Sequence, residues 1–145
     1  FISKKFNKKL FDRYNIQTNI EYGRLDISKK FLVANSTLIC DGNINLLEEY
    51  PVLNFVCSIN SEDKKKLYKK IKVDYKKKNI PLEIKIKGNI NILNNKINFD
   101  LIEMNDIYQA SNEDLKYFKT AFENIIFDQN FLKIFNLEKL RTFIK

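Results

Sequence analysis

Apolar and polar residues alternate along much of this chain, which is the pattern of β-strands with one buried face. The clearest run covers residues 82–93, where the even-numbered residues are Leu, Ile or Gly and those between them are mainly Lys and Asn. A second run at residues 97–104 follows Asn94-Asn95, a dipeptide well suited to a turn. These segments predict a β-hairpin.

A similar hairpin pattern occurs earlier in the chain. The hexapeptide Gly42-Asn43-Ile44-Asn45-Leu46-Leu47 resembles Gly88-Asn89-Ile90-Asn91-Ile92-Leu93, and each is followed by a turn and a second alternating run. We interpret this as one hairpin unit present twice, because an internal repeat fixes the architecture before any single residue does. A chance match in a sequence rich in Ile, Asn and Lys is the alternative. The two return runs cover residues 52–59 and 97–101.

Two further strands are predicted before the first hairpin turn. Residues 16–27 alternate with a change of phase at Gly23, which predicts a single strand with a bulge. Ser28-Lys29-Lys30 is predicted to form the turn that follows. Residues 31–47 have the pattern of one very long strand, and because strands of this length are rare, we expect strong curvature or a kink near Asn35-Ser36.

The first hairpin is predicted to turn at residues 48–51 and to carry both cysteines on its apolar face. In the expected register Cys40 and Cys57 are diagonal neighbours, which is too large an offset for an easy disulfide. We therefore predict that both are free thiols that fill small spaces in the core. The predicted cross-strand pairs are Leu46 with Leu53, Ile44 with Phe55, and Gly42 with Cys57.

Four segments have the residue spacing of amphipathic helices. Residues 1–14 and 62–78 are rich in Lys opposite an apolar stripe, and the second of these is predicted to begin after the capping residue Ser61. A third helix follows a capping-box variant at residues 111–114, and a short fourth helix follows Asn136. The apolar stripes are Leu67, Tyr68, Ile71 and Tyr75 in the second helix, and Leu115, Phe118, Phe122, Ile125 and Ile126 in the third.

Together these elements predict an α+β fold. We expect a curved antiparallel sheet of about five strands built from repeated hairpins, with amphipathic helices packed on one face. A chain of 145 residues, 44% of them hydrophobic, is long enough for one domain with a packed core. We therefore expect residues 1–145 to be a single domain. Because the first residue is Phe rather than Met, we also expect this domain to be a C-terminal fragment of a longer chain.

The net charge of +8 makes the surface attractive to anions such as nucleic acid, acidic lipid or an acidic protein. A Lys-rich helix face is also what a solvated helix presents, and joint enrichment of Lys, Asn and Ile is expected from an AT-rich genome. Any nucleic-acid binding would be electrostatic and without sequence specificity. The candidate contacts with anionic surfaces are Lys65, Lys66, Lys69, Lys70, Lys76 and Lys77.

The residues that usually carry catalysis are scarce. The chain has no His, which excludes Ser-His and Cys-His nucleophile pairs, and its two Cys form no metal-binding motif. Three isolated Gly make no phosphate-binding loop. The acidic pairs Glu48-Glu49 and Glu62-Asp63 lie where a turn and a helix start are predicted, which are solvated positions. We therefore predict no catalytic residues, no metal site, no cofactor and no enzyme activity.

The strand pattern resembles that of a known family. Gly23-Arg24-Leu25-Asp26-Ile27 and Gly42-Asn43-Ile44-Asn45-Leu46 fit the glycine-led strands that alternate in the C-terminal region of AsmA-like (TamB/YhdP-type) proteins of the bacterial envelope. The resemblance covers roughly residues 16–104. It implies a non-enzymatic module of a periplasmic protein concerned with phospholipid transport or outer-membrane assembly, tethered to the inner membrane through a segment not present in this chain.

The same resemblance implies that the curved sheet forms a groove for acyl chains. Phospholipid or an anionic membrane surface, and other envelope proteins, are then the expected partners. The alternating strands offer an apolar face for this role, although helices that cover the face completely would leave no groove. The alternative is a basic module that binds nucleic acid or an acidic protein. The candidate groove residues are Leu38, Ile44, Phe55, Ile84, Ile86 and Ile90.

Overall fold

The computed structural model describes residues 11–75 and 78–126, which form an α+β fold dominated by one open antiparallel sheet. Seven strands lie in the sheet in the same order as in the chain, so each strand pairs with its sequence neighbours. Two helices accompany them in this part of the chain. The elements are β1 Arg13–Glu21, β2 Arg24–Val33, β3 Ser36–Asn45, β4 Val52–Ser61, α1 Lys64–Lys70, β5 Leu82–Asn91, β6 Lys96–Met104, β7 Tyr108–Gln109 and α2 Asn112–Ile126.

The predicted bulge at Gly23 is wrong, because this position is a hairpin turn. Tyr22 and Gly23 have φ of 49° and 77°, and Glu21 pairs directly with Arg24. Positive φ at both central residues is the property of the two-residue turns that match the twist of a hairpin. Such a turn moves the apolar positions from even to odd numbers, just as a bulge does. The sequence pattern alone does not distinguish the two.

The predicted long strand over residues 31–47 is also wrong. The chain reverses at Ala34 and Asn35, which have φ of 50° and 62°, and the expected kink is therefore a complete turn between β2 and β3. Ser28-Lys29-Lys30, predicted as a turn, lies inside β2. The true turn is not predicted because Ala is an unusual residue at positive φ. The false turn is predicted because Ser28-Lys29-Lys30 is a run of three polar residues. These two corrections, together with the short β7, raise the strand count from about five to seven.

The β3–β4 hairpin forms as predicted, but its register differs by two residues. Ile44 lies opposite Leu53, and Gly42 lies opposite Phe55. A shift of two residues leaves every side chain on its predicted face, because the side-chain period of a strand is two. The shift arises because β3 ends at Asn45 and the connection to Val52 is longer than the predicted turn. In that connection the Asn45 side chain accepts from Leu47 N–H at 3.1 Å.

The β5–β6 hairpin confirms the clearest prediction from the sequence. It contains one irregularity: Gly88 pairs with Phe99 whereas Lys87 pairs with Leu101, so Asp100 is an extra residue in β6. An extra residue in one strand of an antiparallel pair is a β-bulge. The bulge changes the apolar positions of β6 from odd to even numbers and so keeps them on one face.

Helix α1 is shorter than the predicted helix over residues 62–78. Its N-cap is Asp63 rather than Ser61: the Asp63 carboxylate accepts from Lys66 N–H at 3.0 Å. Ser61 is instead the last residue of β4, where it accepts from the buried Ser36 hydroxyl at 2.7 Å. The helix gives way at Ile71 to Lys72, which has φ of 61°.

The core lies where α1 covers one end of the apolar face of the sheet. Leu67 of α1 packs with Val33 and Leu82, and all three side chains are buried. Burying a side chain of this size stabilises the fold by about 2 kcal/mol, so this contact fixes the helix on the sheet. The partly buried residues around the cluster are Phe11, Ala34, Leu38, Ile59, Ile84 and Met104.

Helix α2 begins with the predicted capping box. Asp114 N–H donates to the Ser111 hydroxyl at 3.2 Å, and Ser111 N–H donates back to the Asp114 carboxylate at 3.0 Å. The helix contacts β6: the Phe122 and Phe99 rings lie 5.3 Å apart. Of the predicted N-terminal helix, Arg13 and Tyr14 belong to β1. Residues 1–10 and the predicted helix after Asn136 lie outside the described residues.

We expect Gly88→Ala to destabilise the protein by about 2 kcal/mol, the range of overpacked sites. A Cβ at residue 88 would overlap the backbone carbonyl oxygen of Asn98 and approach Phe55 Cζ to 2.9 Å. Gly42→Ala is the matched control in β3, because its nearest obstacle is the flexible end of Leu53 at 2.9 Å. Urea unfolding of both variants measures the difference in stability. Equal losses would contradict the explanation that the backbone of β6 leaves no room for a Cβ at residue 88.

Candidate functional site

The apolar residues of β1 to β6 share one face of the sheet and line up in rows across the strands. Because each strand pairs in register with the next, one row crosses the whole sheet at each level. Thr18, Lys29 and the hydrogen-bonded pair Ser36 and Ser61 are the polar side chains that share this face. One row is Ile20, Leu25, Ile44, Leu53, Ile90 and Ile97, and another is Tyr14, Phe31, Leu38, Ile59, Ile84 and Met104.

All six predicted acyl-chain residues lie on this apolar face, but they differ in surroundings. Leu38 and Ile84 pack against the cluster under α1 and are part of the core. Ile44 is buried, with 5% of its surface exposed. Phe55, Ile86 and Ile90 are half-buried toward the middle of the sheet. The structure therefore brings the six residues together on one face, with one end of the set closed by α1.

The most open part of the apolar face is at β1, which the sequence-based list of groove residues missed. Ile16 and Ile20 are 44% and 67% exposed, although they belong to the same rows as buried residues of the central strands. The signal was present in the alternation of Ile16, Thr18 and Ile20. The prediction of one strand over residues 16–27 does not separate these residues as a strand of their own, whereas the structure has two strands there.

Aromatic rings fill the middle of the apolar face next to glycines. Gly42, Phe55, Gly88 and Phe99 lie in one row across β3 to β6. A Cβ at Gly88 would come within 2.9 Å of Phe55 Cζ, so the glycine provides the space for that ring. Phe55 and Phe99 meet edge to face with their centroids 6.2 Å apart. Small residues alternating with large ones let such a layer interdigitate.

The prediction of free cysteines is wrong, because Cys40 and Cys57 form a disulfide. They are direct cross-strand partners with a Cα–Cα distance of 4.1 Å. The error has the same origin as the register error, since a shift of two residues converts diagonal neighbours into opposed ones. The bond joins β3 and β4 within the apolar face. Disulfides persist in oxidising compartments and are rare in reducing ones.

The opposite face of the sheet is polar and holds a shallow groove of about 600 Å³. A row of amide and carboxylate side chains crosses this face from β1 to β6. At its far end Asn98 donates to Asn89 at 3.2 Å and accepts from Lys119 at 2.8 Å. This row is not among the predictions from the sequence. Its signal is the first Asn of each Gly-Asn-Ile-Asn segment, since Asn43 and Asn89 both belong to the row. The row is Asn19, Asp26, Asn43, Asn54, Asn89 and Asn98.

The lysines of α1 do not form a uniform positive patch. Lys66 lies 3.4 Å from the Asp63 carboxylate, and Lys70 lies 3.2 Å from that of Asp12. Lys65 and Lys69 are exposed, and Lys76 and Lys77 lie outside the described residues.

A further lysine of the helix is turned inward. The Lys64 ammonium lies 5.5 Å and 5.1 Å from the ring centroids of Tyr68 and Tyr75, a cation–π arrangement. The described helix therefore presents fewer available charges than its sequence indicates.

The carboxylates with a lowered pKa hold turns and helix starts. Hydrogen bonds from backbone N–H groups are the main cause: Ala34 lowers the pKa of Asp12, Lys66 that of Asp63, and Ser111 that of Asp114. A carboxylate that accepts backbone N–H bonds favours its charged form. Each of these lowered pKa values therefore results from a hydrogen bond that stabilises the fold.

No helix among residues 11–75 and 78–126 is long and apolar enough to cross a bilayer. Within the same residues, His, Cys, Asp and Glu side chains do not gather in a group that would hold a metal ion. Comparisons with protein-family models, curated proteins and solved structures found no match for this chain. Its function is therefore inferred from the two faces of the sheet, the disulfide and the strand pattern.

We expect the Cys40→Ala, Cys57→Ala double variant to be less stable than the oxidised protein by roughly 3 kcal/mol, because the bond closes a loop with a sequence separation of 17. Chemical unfolding of both proteins measures the loss. Titration of thiols in the denatured, unreduced protein should detect none. Two free thiols in protein purified under oxidising conditions would contradict the disulfide.

We expect the pKa of Asp12 to lie below 3.8, because the Ala34 N–H and the Lys70 ammonium both favour its carboxylate. The stability that this adds is present above the unfolded-state pKa and is lost as the pH falls through the lower folded-state value. Carboxyl-carbon NMR titration measures the shift. Lys70→Met should raise the pKa only partly, because the larger cause remains. A wild-type pKa at or above 3.8 would refute this description.

Proposed function

We propose that this chain is a non-enzymatic lipid-handling or scaffold module of the bacterial envelope, of the AsmA-like kind that its strand pattern resembles. One observation carries the proposal: six consecutive strands direct most of their apolar side chains to a single face. Such a face suits acyl chains, which gain about 0.8 kcal/mol for each buried methylene group. In this proposal the protein needs no catalytic group, metal or cofactor.

The proposed acyl-chain site runs from the exposed β1 side toward the middle of the sheet. Ile20 is the open end of the row that continues through Ile44 to Ile90. Further along the strands, at the level of Val33 and Leu82, the face is closed, since Leu67 of α1 packs there. In this arrangement curvature of the sheet and helices on the apolar side would bound the groove, and the lipid would enter beside Ile16 and Ile20.

The disulfide supports the proposed location in the periplasm, because that compartment is oxidising. The proposed protein is tethered to the inner membrane through a segment not present in this chain and acts in phospholipid transport or outer-membrane assembly. Exposed Lys65 and Lys69 would favour an anionic membrane surface. Phospholipid and other envelope proteins are then its partners.

The alternative, a basic module for nucleic acid or an acidic protein, has weaker support. Lys66 and Lys70 are already paired with carboxylates, and Lys64 lies against two Tyr rings. The charge available for phosphate contacts on α1 is correspondingly reduced.

Native mass spectrometry of freshly purified protein tests the proposal. We expect phospholipid to be retained by the wild type and by Gln17→Asp, which adds a charge on the polar face. Ile20→Asp adds the same charge on the apolar face of the same strand and should reduce retention roughly tenfold, since it removes about 1.4 kcal/mol or more of apolar contact. Both variants add one negative charge to β1, on opposite faces of the sheet.

Two results would count against the lipid site. One is equal retention by both charged variants, which would place the lipid elsewhere. The other is absence of any co-purified lipid together with salt-sensitive retention on DNA, which would favour the basic module.

A further inference from the structure

The two edges of the sheet differ in what covers them. The β6 edge is covered: β7 pairs with it at Glu103 and Met104, and Ala110 N–H donates to Ile102 C=O at 2.9 Å. Further along the same edge, the Ile97 N–H donates to the Glu123 carboxylate of α2 at 3.0 Å. At the other edge, no strand among residues 11–75 and 78–126 pairs with the outer side of β1.

The residues of β1 themselves provide few of the features that normally protect an edge. Its nine residues are all exposed, and they pair with β2 in an unbroken register without a bulge. The strand contains neither Pro nor Lys, and its charges are confined to Arg13 and Glu21 at its two ends. Natural sheets usually blunt an exposed edge with charges, Pro, bulges or a covering element, because a regular free edge is a template for pairing.

The hydrogen-bond pattern shows which backbone groups point away from the sheet. Leu46 N–H donates to Gly23 C=O at 2.7 Å, so the odd-numbered residues of β2 bond to β3. The even-numbered residues of β2 therefore bond to the odd-numbered residues of β1, because successive residues alternate between the two neighbours. The outward N–H and C=O groups of β1 thus belong to Tyr14, Ile16, Thr18 and Ile20.

We propose that β1 is a dimerisation edge, which pairs antiparallel with β1 of a second copy of this chain about a two-fold axis at Gln17. In this register Arg13 lies opposite Glu21 of the second copy, and Glu21 lies opposite its Arg13, so opposite charges meet at both ends. Asn15 lies opposite Asn19 on the same polar face. The sequence of β1 is therefore complementary to itself when it is reversed.

The other face of the pairing is equally matched. Tyr14 lies opposite Ile20 of the second copy, and Ile16 lies opposite Thr18, which are the aromatic and β-branched cross-strand pairs that stabilise sheets. These even-numbered residues also carry the outward N–H and C=O groups, so the pairing would add backbone hydrogen bonds between Ile16 of one copy and Thr18 of the other. The apolar rows then continue from one copy into the other, whether or not the protein binds lipid.

The covered β6 edge decides how a second copy binds. Head-to-tail pairing of β1 with β6 would form open chains, but β7 and α2 occupy much of that edge. Pairing of β1 with β1 uses the same surface twice and closes as a dimer. The geometry therefore favours a closed dimer over a fibre.

Charge reversal tests the register. Sedimentation velocity over a concentration series should show a dimer for the wild type. Arg13→Glu or Glu21→Arg alone should raise the dimer dissociation constant roughly tenfold, since each places like charges opposite each other twice per dimer. The double reversal should restore the affinity. A monomer at every concentration, or failure of the double reversal to rescue a folded protein, would overturn the proposal.

Cysteine cross-linking provides a second test that does not depend on affinity. Gln17 would face its own copy across the two-fold axis at a non-hydrogen-bonded position, which is the kind of position that Cys40 and Cys57 occupy across β3 and β4. Gln17→Cys should therefore form an intermolecular disulfide under mild oxidation. The control Asn15→Cys, displaced along the strand from its copy, should not. Equal cross-linking of both variants, or none with Gln17→Cys, would refute the register.

Discussion

The antiparallel ladder that joins β1 to β7 is the constraint on which the rest of the structure depends. Because every strand pairs with its sequence neighbour in register, apolar rows and polar rows form automatically on opposite faces. The bulge at Asp100 keeps β6 within this arrangement. A shift by a single residue in any pair would move a whole strand's apolar set to the polar face.

Much of this arrangement is predictable from the sequence, and the failures have a common origin. Alternation identifies β5 and β6 and assigns the six proposed acyl-chain residues to one face. It does not identify the turn at Tyr22-Gly23, since a two-residue hairpin and a bulge produce the same change of phase. The turn at Ala34-Asn35 is hidden because positive φ is unusual for Ala.

The disulfide shows how far a small register error extends. Face assignment tolerates a shift of two residues, but covalent pairing does not, and the predicted register placed Cys40 diagonal to Cys57. Helix α1 is shorter than its sequence pattern predicts for a different reason. The Lys and Tyr spacing continues beyond Ile71, whereas the helix gives way where Lys72 adopts φ of 61°. Local hydrogen bonds fix this end, because Val73 N–H donates to Tyr68 C=O at 2.8 Å and Lys72 N–H donates to Lys69 C=O at 3.1 Å. The sequence does not indicate this end, since the residue at positive φ is Lys and not the usual Gly.

The structure combines an apolar face, a polar face with its amide and carboxylate row, one covered edge and one open edge. The most exposed apolar residues and the open edge both belong to β1, so lipid contact and pairing with a second copy would occur at the same side of the sheet. The end under α1 is different, since Leu67 and the Ser36–Ser61 hydrogen bond close it. The buried cluster under α1 that stabilises the fold and the exposed residues of the proposed lipid site therefore lie in different parts of the apolar face.

Methyl NMR with a phospholipid that carries a spin label on its acyl chain tests the central claim most directly. Ile20 of β1 and Ile90 of β5 lie on the apolar face, and Ile39 of β3, which lies between those strands in the sheet, is on the polar face. If the apolar face receives acyl chains, the label should broaden the methyl signals of Ile20 and Ile90 and spare that of Ile39. Equal broadening of all three signals, or none, would contradict the account.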